Sequence, residues 1–212
     1  MRTGLKETIE WYNRNARFYA GRNNLIYPND SVQLENFLKL LNSGAKILDA
    51  GCGSGRFCKL MKDKGFLTTG IDLSSELIRL AKESYPELEF IEGDLRSLPF
   101  ENQSFDGVWA HASLVHAESR KDVLTILKEF YRVLNANGVV RVMVKKNVID
   151  TEAVIEPFTK EERFFRYFQE DDLCRFLERA NFTVLKVMAF NEFEKNGMGR
   201  KDTNWIELIA KK

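Results

Sequence analysis

Apolar positions along the chain change rhythm as it proceeds. Leu5, Ile9, Tyr12, Ala16 and Tyr19 are spaced by three and four, which predicts a helix. Asn23-Asn24 and Pro28-Asn29-Asp30-Ser31 interrupt it, and Ser31 is placed to cap a second helix over Val32 to Leu41. Strand, turn and helix then alternate. The pattern predicts strands at 46–49, 67–71, 89–91, 105–110 and 139–144. Helices are predicted at 56–64, from a Ser74 or Ser75 cap to about 84, and at 171–180. Between the fourth and fifth strands, Val123, Ile126, Leu127, Phe130, Tyr131 and Leu134 mark one side of a long helix that ends at Asn135 to Gly138. Residues 182–189 and 205–210 read as two closing strands, joined closely enough for an antiparallel hairpin.

Such alternation predicts a doubly wound α/β fold with right-handed crossovers. Val139, Val140, Val142 and Val144 make the fifth strand mostly apolar on both faces, as in a parallel sheet covered by helices. Ligands in these sheets bind outside the carboxyl ends of the strands, near the switch in strand order.

Composition removes several function classes. Apolar residues make up 44% and charged residues 30%, as in an ordinary globular protein of one domain spanning 1–212. Formal net charge is +1, so neither nucleic acid nor an anionic membrane is signalled as a partner. No apolar run approaches the roughly 20 residues of a membrane span. Three cysteines, Cys52, Cys58 and Cys174, suit a reducing, cytoplasmic setting, and without Cys or His companions they predict no metal site.

Candidate chemistry centres on Ile47-Leu48-Asp49-Ala50-Gly51-Cys52-Gly53-Ser54-Gly55, a strand running into glycines at alternate positions with a helix at once behind. Glycine permits positive φ and lets a ligand lie against backbone. Asp49, Asp72 and Asp94 each stand at or just beyond the end of a predicted strand. A carboxylate at Asp72 suits the two hydroxyls of a ribose. A dinucleotide loop wants a glycine where this chain has Arg56, and an acid before the loop disfavours pyrophosphate. A nicotinamide-dependent oxidoreductase is therefore disfavoured. A ligand with an ammonium group makes sense of Asp49.

These residues resemble the class I S-adenosylmethionine-dependent methyltransferases. The loop is similar to that family's first motif, and Gly70-Ile71-Asp72-Leu73-Ser74 to its second. Gly93-Asp94-Leu95 with Leu98-Pro99-Phe100 resembles the third, and Ser104-Phe105-Asp106-Gly107-Val108 the fourth. Asn135-Ala136-Asn137-Gly138 departs from the family's usual Lys-Pro-Gly-Gly. The resemblance implies a Rossmann-like, seven-stranded, mostly parallel sheet with an antiparallel last strand. It implies S-adenosylmethionine as cofactor and S-adenosylhomocysteine as product. Gly51, Cys52 and Gly53 would face the methionine portion, with Asp49 and the Ala110 carbonyl near its ammonium group. Asp72 would hold the ribose, Leu73 would pack beside the adenine, and Asp94 and the Leu95 N–H would meet the adenine edge. Residues 1–42 would form a helical lid, with Tyr12 and Tyr19 over the cofactor.

Methyl transfer from a sulfonium is an in-line displacement, so alignment and exclusion of water can carry it. His111 and His116 lie just beyond the fourth strand, where substrate enters, and are the candidate bases. The stretch 146–169 carries Phe158, Phe164, Phe165, Tyr167 and Phe168; Phe165 and Tyr167 are candidate substrate contacts. With no basic face or nucleic-acid methylation motif, a small-molecule acceptor is expected. A non-catalytic cofactor-binding module is the rival reading.

Overall fold

The computed structural model describes residues 4–23, 28–146, 154–157, 162–192, 194 and 204–212. Two helices open it, α1 (Leu5–Arg14) and α2 (Ala16–Asn23), where the apolar spacing predicted one. Asn15 separates them: its side-chain amide and its backbone N–H both donate to the Trp11 carbonyl, at 2.9 and 3.0 Å. A short amide side chain that competes for helix carbonyls breaks the run. Helix α3 (Pro28–Leu38) starts at Pro28, so Ser31 lies inside it and is not its cap. Proline's fixed φ suits the first helical turn.

The alternating region then gives β1 (Lys46–Ala50), α4 (Arg56–Asp63), β2 (Leu67–Asp72), α5 (Ser75–Ser84), β3 (Glu89–Glu92) and β4 (Phe105–His111). A single 3-10 turn (Leu114–His116), α6 (Arg120–Val133) and β5 (Leu134–Lys146) follow. Leu134, expected on the helix, is the first residue of β5. Ser74 is the cap of α5, its hydroxyl accepting from the Leu77 N–H at 3.2 Å. The chain closes with α7 (Glu170–Arg179), β8 (Thr183–Asn191) and β9 (Asn204–Lys211), after a separate hairpin of β6 (Val154–Pro157) and β7 (Glu162–Phe165). Phe158 lies outside the described residues.

Seven strands form one sheet in the order β3-β2-β1-β4-β5-β9-β8. Only β9 runs against its neighbours. Successive side chains of a strand point to opposite faces, and β4 uses both. Val108 joins the core under α6 and α7, while Trp109 packs with α3 and α4. Strand order reverses between β1 and β4, whose carboxyl ends open a crevice there. Across it lies α1, which packs on α5 and on β7.

Candidate functional site

The crevice begins at the glycine loop. Gly51 has φ +83°, and a Cβ there would come within 2.4 Å of the Ser113 Cβ. No other residue fits. Gly53, at φ +55°, has only the Tyr19 ring near its missing Cβ, at 3.8 Å, so its bare backbone faces the opening. The loop is tied to β2: the Gly51 and Cys52 N–H groups donate to the Ile71 carbonyl. Asp72 accepts from Gly53 N–H and Ser74 N–H, one on each oxygen, both at 2.9 Å. Burial holds the Asp72 carboxyl above its ordinary pKa despite those donors.

Asp49 is buried behind the loop, with 1% exposure, and is not in the crevice wall. The Cys58 thiol donates to its Oδ2 at 3.4 Å, and its Oδ1 has no partner. Burial pushes its pKa up to about 7. Cys52 is buried too, and fills the space a side chain at Gly70 would need: a Cβ there would come within 2.8 Å of its Sγ.

The crevice has an empty volume of about 640 Å³, its open mouth included. Its wall brings together Tyr12, Tyr19, Gly51, Gly53, Asp72, Leu73, Leu95, His111 and His116 from the sequence-derived set. It does not bring in Asp94, Phe165 or Tyr167. Arg96 grips both oxygens of Asp94, Nε donating to Oδ1 at 3.1 Å and Nη2 to Oδ2 at 2.6 Å, and that pairing lowers the carboxyl's pKa against the effect of burial. Phe165 packs in the core below, its ring 4.9 Å from His116 and 4.1 Å from the Lys145 ammonium. Tyr167 is half-buried against the same core. Ala110 is fully buried at the end of β4.

The roof is α1. Its Thr8 hydroxyl accepts from the Phe164 N–H at 2.9 Å, and Asn13 Oδ1 accepts from the Ser74 hydroxyl at 2.7 Å. Tyr12 meets His116 Nε2 at 3.0 Å and receives Arg163 Nη1 at 2.7 Å. His116 Nδ1 sits 2.8 Å from the Phe164 carbonyl, an obligate acceptor, so that nitrogen carries the proton. Its Nε2 lone pair then accepts from the Tyr12 hydroxyl. Burial depresses the His116 pKa to about 4. His111 Nδ1 lies 3.2 Å from Arg141 Nη1, an obligate donor, so its lone pair is on Nδ1. Neither histidine offers a vacant lone pair to the crevice.

Residues 48–142 match the family of the methyltransferase domain. That stretch is a methyltransferase domain of the class I S-adenosylmethionine-dependent kind. S-adenosylmethionine is accordingly its cofactor. A demethylmenaquinone methyltransferase of Chlorobaculum tepidum is 36% identical over 108 residues, 49% of this chain and 43% of that protein. A malonyl-[acyl-carrier protein] O-methyltransferase of Enterobacter lignolyticus is 30% identical over 95 residues, 45% of this chain and 37% of its own length. This methyltransferase thus spans less than half of either curated relative. Over nearly whole chains, an S-adenosylmethionine-dependent methyltransferase of Methanosarcina mazei superposes with a TM-score of 0.74 at 25% identity, covering 88% of this chain and 98% of that one.

The residues present suit the cofactor. A buried carboxylate oxygen without a partner, behind bare glycine backbone, fits a ligand that brings an ammonium group. Sequence reasoning passed over several parts of the site in this methyltransferase. Thr8, Asn13 and Arg163 hold the roof, and Ser113 supplies a buried hydroxyl without a partner. Arg141 was legible: an arginine amid Val139, Val140, Val142 and Val144 is a charge where a buried strand has no room for one.

Proposed function

We propose that this methyltransferase holds S-adenosylmethionine between Asp72 and the end of β4 and methylates a small molecule. One observation carries the reading. A single crevice joins the Asp72 carboxylate and the open Gly51–Gly53 backbone, and Asp49 lies directly behind with an unsatisfied oxygen. Asp72 keeps lone pairs beyond the two its backbone donors use, and these accept from the ribose hydroxyls. Leu73 and Leu95 pack on the adenine; Asp94 keeps lone pairs for its amino group beside the Arg96 fork. Asp49 and the Ala110 carbonyl take the ammonium end. When bound, the cofactor supplies an electrophilic methyl group on a sulfonium.

The protein's own contribution is alignment and dryness. Tyr12 and Tyr19, their rings 4.9 Å apart, close the crevice under α1 and α2. With both histidine lone pairs engaged, an acceptor that must lose no proton, or loses it unaided, suits the site best. A small acceptor is supported by the narrow roofed crevice and by the balance of 32 basic and 31 acidic residues. Phe165 acts from beneath, shaping the acceptor side through His116, and Tyr167 packs on the same core.

Calorimetry with S-adenosylhomocysteine and NAD in parallel tests the cofactor. Asp72→Ala should weaken S-adenosylhomocysteine at least tenfold, since charge-assisted hydrogen bonds are each worth about 1.5–3 kcal/mol. Binding of NAD alone overturns the reading. Incubation with methyl-labelled cofactor and a panel of quinols, free carboxylates and carrier-linked acyl groups tests the acceptor. Label found only on carrier-linked acceptors would replace the small molecule with a protein-borne one.

A further inference from the structure

We propose that Arg141 is a positioning residue that locks His111 as its Nε2–H tautomer, so that the ring donates to the α-carboxylate of the bound cofactor. This rests on the cofactor reading above and adds a residue pair to it.

Arg141 is fully buried, and each arm is committed. Its Nε donates to Glu207 Oε1 at 2.9 Å, and Nη2 to Gln33 Oε1 at 2.6 Å. The guanidinium lies 4.0 Å from the Trp109 ring centroid. Three elements, α3, β4 and β9, thus clamp it, and the remaining arm points at His111 Nδ1. A guanidinium has donors only, so Nδ1 must accept and a neutral ring must carry its proton on Nε2. A second proton on Nδ1 would face the guanidinium head-on. Burial, with Arg141 and Arg56 nearby, accordingly lowers the His111 pKa well below its ordinary value.

His111 is therefore neither base nor cation; it is a fixed neutral donor. Its ring packs beside Phe57, centroid 4.7 Å away, and Trp109, stacked at 6.0 Å. Nε2 has no partner among the described residues, and the ring lines the crevice. His111 directly follows Ala110, which is assigned to the ammonium end. The two ends of the crevice differ in sign. Asp72 refuses an anion, whereas His111, with Arg141 behind and Arg56 at the head of α4, favours one. An amino acid joined to a nucleoside fits in one direction only, carboxylate toward His111.

The chain has only two histidines, so ¹⁵N-histidine NMR of the intact protein resolves them directly. At pH 7 His111 should be protonated on Nε2 and His116 on Nδ1. An imidazolium or an Nδ1–H ring at His111 overturns the proposal, whether or not any variant folds. Arg141→Met, where it folds, should release His111 into a tautomer mixture; an unchanged tautomer removes Arg141 from the account. By calorimetry His111→Phe keeps the ring but loses the donor, and His111→Gln restores a donor near Nε2. The Phe variant should bind S-adenosylhomocysteine at least tenfold more weakly, the Gln variant within a few fold of the parent. Methylthioadenosine, which lacks the amino acid, should bind all three alike. Unchanged S-adenosylhomocysteine affinity in the Phe variant, or equal loss of both ligands, refutes the carboxylate assignment. A parent protein that binds neither ligand instead refutes the cofactor reading.

Discussion

Asp49 and His116 show how burial sets what a residue can do. Asp49 with a pKa of about 7 is partly protonated at neutral pH, and pairing with an ammonium group needs its charged form. Below pH 7, binding must expel that proton. S-adenosylhomocysteine affinity should therefore fall as pH drops from 7 to 5, by up to about tenfold per unit. Asp49→Asn should flatten the profile, and a profile equally steep in that variant would remove Asp49 from the ammonium site. Burial shifts the His116 pKa in the other direction, but acid again does the damage. Its folded pKa near 4, against an ordinary 6.5, gives stability that is whole above pH 6.5 and lost on acidification to 4. That loss is about 3 kcal/mol. His116→Asn keeps a donor toward the Phe164 carbonyl, so urea melts of the variant should show a shallower acid slope over that window. Position in the sequence revealed that Asp49 stands near a strand end and His116 just beyond one. It could not reveal that Asp49 faces inward to Cys58, or that Tyr12 occupies the His116 lone pair, because those partners come from distant elements.

Helix α1 is the element on which closure of the crevice depends. Its attachment is polar and local: Thr8 to β7, Tyr12 to the 3-10 turn, Asn13 to the cap of α5. Few deeply buried groups hold it, with Thr8 and Trp11 the buried residues of the helix. Such an element opens at low cost relative to the sheet. Asn13→Ala removes the acceptor for the Ser74 hydroxyl and the Glu76 N–H. Amide exchange over 5–14 should then quicken about tenfold, while exchange in β1 and β4 stays unchanged. Added S-adenosylhomocysteine should slow exchange in α1; no slowing would mean that the helix is scaffold and not a lid. Amphipathic spacing made the helix legible. The break at Asn15 was not, since it turns on one side chain competing for the Trp11 carbonyl.

For the whole molecule, the sheet and its two helical layers are built apart from the site. Phe130 is fully buried under the far face among the α6 and α7 residues. Phe130→Ala should cost about 3–5 kcal/mol in urea melts, as deletion of a buried phenyl does. Affinity of the folded fraction for S-adenosylhomocysteine should stay at the parent value; a matching loss would couple the far core to the crevice. The chain's local grammar alone determined the order of strands and helices, the glycine bend and the acids that follow it. Those features are contiguous in sequence, and periodicity and turn chemistry act over a few residues. Only the folded sheet decided which of them meet. It sank Phe165 beneath His116 and drew Gln33, Arg141 and Glu207 together behind His111. Those partners stand up to 174 residues apart (33 to 207), and no local rule encodes which side chains share a buried space.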